Sequence, residues 1–320
     1  MGEEGLLRWV AEACGGREAR RAEHVQSLWS GYGEIFRARV LGAATDAVVV
    51  KWVRPPSRAS HPRGWASDRS HRRKLRSYAV ERVFYERFAP LAHGGCRVPA
   101  CLGTTDFDGG QAFVLEDLDA AGFDRRHGSL EGDLLNAALR WLAEFHATFM
   151  GVAPDGLWAE GTYWHLATRP DELAATTDHR LKAAASELDG MLSAARFRTL
   201  AHGDAKVANL CFSPDGCSVA AVDFQYVGGG CGMKDLAYLL SSCLTEHELL
   251  VQADGLVDVY FEHLRSALDG RDFDLDALEA EWRRLYPVAW ADFARFLSGW
   301  APHHWKLHGY TEQMVALALP

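Results

Sequence analysis

The hydrophobic period of this chain changes once, near residue 125, and that change limits the fold more than any single motif does. Before it, apolar residues cluster in strand-length runs. Ala47-Val48-Val49-Val50-Lys51-Trp52-Val53 is rich in β-branched residues and gives the clearest strand signal. A shorter strand-like stretch at 25–28 and the run Ile35 to Leu41 flank Trp29-Ser30-Gly31-Tyr32-Gly33, whose small residues predict a hairpin. Residues 96–118 predict two more strands around Asp108-Gly109-Gly110. Helical spacing precedes these strands at 5–15 and interrupts them at 75–88, where Pro90 ends the helix. After the change, amphipathic helices dominate, at about 131–150, 178–195, 247–268, 275–297 and 305–318. One strand pair, near 210–213 and 218–224, breaks their succession. The pattern predicts an α+β chain: a small β-rich N-terminal lobe over 1–118, then a larger, mostly helical lobe over 119–320.

Charge narrows the function. The 320 residues hold 34 Lys and Arg against 43 Asp and Glu, a net charge of −9. This argues against a protein that coats nucleic acid. No run of about 18 apolar residues predicts a membrane span, and the first 21 residues do not resemble a secretory signal. The seven cysteines include no Cys-x-x-Cys pair, so free, mostly buried thiols in a reducing cytoplasm are expected. The stretch 54–76 concentrates Arg54, Arg58, Arg63, Arg69, Arg72, Arg73, Lys74 and Arg76 against Asp68. It predicts a solvated connector, with a basic flap over an anionic ligand as the other reading.

The chemistry concentrates in His202-Gly203-Asp204-Ala205-Lys206-Val207-Ala208-Asn209 and in Val219-Ala220-Ala221-Val222-Asp223-Phe224-Gln225. A loop carries Asp204 and, five residues on, Asn209; a hairpin then returns Asp223 at the end of an apolar strand. A hard cation such as Mg²⁺ takes oxygen ligands and few protein groups. Asn209 and Asp223 can supply them from adjacent strands, leaving Asp204 to accept a proton from an attacking hydroxyl. Phosphoryl transfer needs this set of parts.

His-Gly-Asp-x4-Asn followed by Asp-Phe-Gln resembles the aminoglycoside phosphotransferase and choline kinase group, built on a protein-kinase-like two-lobed fold. Lys234-Asp235-Leu236-Ala237-Tyr238 brings the likeness closer to the ecdysteroid-kinase-like branch. The resemblance spans roughly 25–310 and rests mainly on 202–238. It implies a kinase that uses ATP, or alternatively GTP, with Mg²⁺ to phosphorylate a small-molecule hydroxyl. Asp204 is then the catalytic base, Lys206 a cation near the transferred phosphoryl, and Asn209 and Asp223 the metal ligands. Lys51 matches the lysine that holds the α- and β-phosphates. Its ion-pair partner is expected to be Glu81, with Glu86 the rival on the same helix. Gly31 and Gly33 make a reduced phosphate loop, which departs from Gly-x-Gly-x-x-Gly because residue 36 is Phe. Glu116 to Leu118 would meet the adenine. His202 is expected to orient the loop, and Asp235 to cap a helix and support that loop.

The acceptor stays open between an aminoglycoside, a choline-like amine, a sterol-like body and another alcohol. Trp282, Tyr286, Trp290, Phe293 and Phe296 are spaced as a buried helix face. Trp300, His303, His304, Trp305 and Lys306, past that helix and across Pro302, are the candidates for a pocket wall. Such rings suit a quaternary ammonium, whereas acids such as Asp292 and Glu312 suit an aminoglycoside. The expected partners are a small hydroxyl compound, with no nucleic acid and no membrane, and the expected state a monomer or weak homodimer. Two other classes compete: a non-catalytic nucleotide-binding module, and a protein kinase. The protein kinase is disfavoured by the short run from Asp223 to Asp235 and the lack of Asp-Phe-Gly and Ala-Pro-Glu.

Overall fold

Burial alternates along the second strand of the first part of the chain, and the third strand is buried on both faces. In the computed structural model, which describes residues 2–56 and 68–319, helix α1 (Glu3–Ala13) precedes three strands. These are β1 (Glu18–Ser27), β2 (Gly33–Leu41) and β3 (Ala47–Val53). Helix α2 (Asp68–Val83) continues through a π-helical turn, Phe84–Phe88, and is followed by β4 (Cys101–Phe107) and β5 (Gly110–Glu116). The strands form one antiparallel sheet in the order β1-β2-β3-β5-β4. Phe36, Ala38 and Val40 of β2 and Val48, Val50 and Trp52 of β3 pack with Leu6 and Val10 of α1 in one apolar cluster. Period two therefore turns Lys51 to the opposite face.

Two differences from the sequence expectation stand out here. Strand β1 starts at Glu18, not near Val25. It is an edge strand whose residues are mostly polar and exposed, so apolar alternation could not reveal it. Helix α2 starts at Asp68, so residues 68–76 of the basic stretch are helical rather than a connector. Arg and Lys are good helix formers, and local charge hid that. Residues 57–67 of the stretch, with Arg58 and Arg63, lie outside the described residues.

The second part is helical: α3 (Gly132–Thr148), α4 (Pro170–Ala175), α5 (His179–Ser193), α6 (Met233–Cys243), α7 (Glu246–Leu268), α8 (Leu275–Trp300) and α9 (Gly309–Ala318). Two short antiparallel pairs interrupt it, where one was expected. Besides β7 (Leu210–Phe212) with β8 (Val219–Ala221), strand β6 (Thr199–Ala201) pairs with β9 (Gly228–Gly230). Residues up to Leu91 with Val98–Asp124 form one unit, and Ala92–Arg97 with Arg125 onward the other. The division falls at Asp124 rather than at 118. Beyond β5, Asp117 and Asp119 are still tied to the β2 side chain Arg37, the former at 3.0 Å. Among the described residues no helix is long and apolar enough to cross a membrane.

Candidate active site

In the first unit, the Lys51 ammonium donates to both carboxylate oxygens of Glu81, at 2.8 and 2.7 Å. It also lies 5.6 Å from the centre of the Tyr78 ring. Lys51 is 4% exposed and Glu81 1%. Glu86, one helical turn and a residue further on, is instead taken by Arg82 at 2.8 Å and by the Thr104 hydroxyl. Gly31, between β1 and β2, and Gly33, the first residue of β2, take left-handed backbone, φ 75° and 125°. Phe36, where a third glycine would stand, is buried in the sheet core. Glu116 ends β5, its carboxylate accepting from the Ala100 N–H at 2.9 Å, and Leu118 is buried.

The second unit holds the other predicted residues. Strand β6 runs into the loop His202-Gly203-Asp204, and a helical turn at Val207–Asn209 leads to β7. Gly203 has φ 82°, and a Cβ there would meet the Tyr226 carbonyl oxygen at 2.1 Å, so only glycine fits. The Asp204 carboxylate accepts from Lys206 Nζ at 3.0 Å and from Asn209 Nδ2 at 3.1 Å. The same Asn209 nitrogen donates to the Asp204 carbonyl at 2.8 Å. This commits the amide nitrogen and leaves Oδ1 as the atom of Asn209 suited to a cation. The β7–β8 hairpin closes with the Val222 N–H on the Asn209 carbonyl at 3.0 Å, which brings Asp223 beside Asn209. Asp223 has φ 70°, a conformation that costs a non-glycine residue about 1–2 kcal/mol, and its Oδ1 accepts from Gln225 at 2.7 Å. Strain of this kind collects at functional sites.

The electrostatics follow from burial. Desolvation pushes the Asp204 carboxyl up; Lys206 pulls it back by less, and the Asp223 carboxylate pushes it up further. Burial disfavours the Lys206 ammonium, but Asp204 and Asp223 more than offset this and raise its pKa. Two carboxylates that repel each other beside an amide oxygen make a hard, oxygen-only donor set, which suits Mg²⁺. Among the described residues no group of three or more His, Cys, Asp or Glu is placed to hold a metal ion by itself; a site completed by substrate phosphates does not require one.

His202 orients the loop as expected. Its Nε2 donates to the Val222 carbonyl at 3.1 Å, and its Nδ1 accepts from the Asp204 N–H at 3.2 Å. Burial among Trp141, Phe145 and Phe224 lowers its pKa, against the pull of Asp235, Asp204 and Asp223. Asp235 corrects one expectation. It sits inside the first turn of α6, whose cap position is Gly232, and does not cap it. Its carboxylate instead accepts the N–H groups of His202 at 2.5 Å and Gly203 at 2.9 Å, and the His146 Nε2 at 3.1 Å. Tyr260 holds the other nitrogen of His146 at 2.7 Å. His146 was missed in the sequence, where its only signal is a histidine set in the apolar face of a helix.

A sequence-family model described as the ecdysteroid kinase-like family matches residues 164–271, which contain the loop, the hairpin and α6. No curated protein matches the chain. Among solved structures, a Ralstonia eutropha protein assigned to the aminoglycoside phosphotransferases is 14% identical, with TM-score 0.54, covering 98% of this chain and 94% of that one. An amicoumacin kinase, solved in complex with AMP-PNP, Ca²⁺ and Ami, is 14% identical with TM-score 0.50, covering 99% of this chain and 91% of that one. An aminoglycoside phosphotransferase solved with ADP and hygromycin B is 12% identical with TM-score 0.50, covering 98% of each chain. At these identities they show the fold: the β-rich and helical units are the two lobes of the protein-kinase-like architecture.

The remaining acceptor-side expectations divide. Trp282, Tyr286, Trp290, Phe293 and Phe296 are core residues. Asp292 and Glu312, the acids considered for an aminoglycoside, are both engaged. Asp292 is buried, paired with Arg295 at 2.8 Å and bonded by the Trp164 N–H at 3.1 Å; Glu312 pairs with Arg180 at 3.0 Å. Of the pocket-wall candidates, His303 and Trp305 are exposed and Lys306 is buried. Tyr163 and Tyr238, not singled out in the sequence, are close enough to Asp204 that its charge adds to burial in raising their hydroxyl pKa values.

Proposed function

We propose that this chain is an ATP- and Mg²⁺-dependent phosphotransferase that moves the γ-phosphate of the nucleotide to a hydroxyl of a small molecule. The observation that carries the reading is the Asp204 carboxylate, buried, fixed by Lys206 and Asn209, with Asp223 returned beside Asn209 by a two-strand hairpin. The buried Lys51–Glu81 pair and the nucleotide analogue and divalent ion held by the amicoumacin kinase support it.

In this reading Asp204 orients the acceptor hydroxyl and takes its proton as the oxygen attacks phosphorus. Its raised affinity for protons, set by burial, suits a base that must bind a proton during reaction. Lys206 offsets negative charge on the transferred phosphoryl. Asn209 and Asp223 would hold Mg²⁺, which supplies charge neutralisation on the phosphates. Lys51, held in place by Glu81, binds the α- and β-phosphates. Gly31, Gly33 and the Glu116 to Leu118 backbone serve the nucleotide. The short run from Asp223 to α6, which contains β9, leaves no long activation segment and argues against a protein acceptor.

The test is label transfer from γ-labelled ATP to a panel of small hydroxyl compounds. Asp204→Asn should lose transfer by about 10²–10⁴-fold, the usual worth of a general base, while ATP binding persists. Unchanged turnover would overturn the assignment. ATP binding with no turnover on any hydroxyl would support a non-catalytic nucleotide-binding module instead.

A further inference from the structure

Lys306 is the one pocket-wall candidate that the fold buries. It is 7% exposed, and its ammonium sits 4.6 Å from the Tyr238 ring centre, 5.5 Å from Phe293 and 5.5 Å from Trp305. Its backbone is pinned: the carbonyl accepts from the Thr311 hydroxyl at 2.7 Å and the N–H donates to His304 Nδ1 at 3.2 Å. Its Nζ donates to the Ser241 hydroxyl at 3.1 Å, and no carboxylate lies within ion-pair distance of it among the described residues. Burying an ammonium without an anion is unfavourable. Accordingly, desolvation pulls its pKa down to about 8, against an opposing pull from Asp204; Ser242, next in the chain to its partner Ser241, accepts from the Val207 N–H of the Asp204–Asn209 loop at 3.0 Å, which sets Lys306 near that loop.

Three consequences bear on the acceptor. The aromatic cage that would suit a quaternary ammonium already holds the chain's own cation. The acids Asp292 and Glu312 that would suit an aminoglycoside are spent on Arg295 and Arg180. Lys206 adds a second positive charge beside Asp204. Beside the base, Lys206 is paired with Asp204, whereas the buried Lys306 ammonium is left in want of an anion.

We propose that the acceptor is an acidic hydroxyl compound, with a carboxylate or phosphate near the hydroxyl it offers to Asp204, and that Lys306 binds that oxyanion. This deepens the phosphotransferase reading and rests on it.

The test uses the full chain with ATP and Mg²⁺ and three matched sets of acceptors. Hydroxy acids and sugar phosphates form the acidic set. Their methyl esters and the free sugars form the neutral set, and amino alcohols with aminoglycosides the cationic set. The two kinds of acid separate a carboxylate from a phosphate as the recognised group. Wild type should favour an acid over its neutral counterpart by roughly 10–100-fold in kcat/KM, the usual worth of a hydrogen bond to a charged group. In Lys306→Met and Lys306→Gln that ratio should fall toward one, chiefly through KM. Turnover of the cationic set at or above the acids, or an acid preference that both variants keep, would overturn the inference while leaving the phosphotransferase reading intact. Where no compound is phosphorylated, binding of the same acids decides, read as a shift in unfolding temperature without ATP. A shift in wild type that both variants lose supports the proposal, and equal shifts or none in wild type overturn it.

Discussion

Asp235 shows how much one buried carboxylate can organise. It receives two successive backbone N–H groups and a histidine, so the His202-Gly203-Asp204 loop is held by a side chain 31 residues beyond Asp204 in the sequence. Replacing Asp235 with Ala should cost about 3–5 kcal/mol, because the donors it satisfies are buried. Urea unfolding measures this, and a loss under 1 kcal/mol would contradict it. Lys306 makes the opposite prediction. Its folded pKa of about 8 lies below the 10.5 of an ordinary lysine. Below pH 8 both folded and unfolded chains hold the proton, and the burial penalty is fully present. Between 8 and 10.5 the unfolded chain binds more protons, so stability rises with pH. Lys306→Met should therefore stabilise the chain at pH 7 by up to roughly 3 kcal/mol. The gain should shrink through that window, as unfolding midpoints of variant and wild type measured across pH 7–11 would show. A gain that does not change with pH would contradict the account.

At the scale of elements, legibility followed the strength of the apolar pattern. Strand β3 was readable to the residue because it is β-branched and central, and α3, α5, α7 and α8 because each presents a long apolar stripe. Strand β1 was only half readable because an edge strand does not need an apolar face. Strand β9 was invisible. It is three glycines, and at Gly228 a Cβ would meet the Trp158 carbonyl oxygen at 2.2 Å, so close backbone approach, not side-chain preference, selects the sequence. The pairing of Lys51 with Glu81 rather than Glu86 needed the actual rotation of α2 against β3, which spacing alone does not specify. That pair predicts a further outcome. Glu81→Ala strands a buried ammonium and should destabilise the chain by about 3–5 kcal/mol, whereas Glu86→Ala, at a more exposed site, should cost under about 1 kcal/mol. Equal effects in denaturant unfolding would remove Lys51–Glu81 as a distinct buried pair.

For the whole molecule, the division of labour was legible and its chemistry only partly so. A β-rich unit carrying Lys51 and a helical unit carrying Asp204, Asn209 and Asp223 follow from period and motif. His146, Tyr163 and Tyr238 were not, because each reads in sequence as one more core residue and gains its significance only from what the fold sets beside it. The central claim is that this chain transfers phosphate from ATP to an alcohol. Phosphorus NMR of the chain with ATP, Mg²⁺ and the acceptor panel tests it most directly. A new phosphate-ester resonance on an alcohol, formed by wild type and missing with Asp204→Asn, is the predicted result. Intact ATP with wild type bound to it, or an ester that Asp204→Asn forms as fast, would contradict the account.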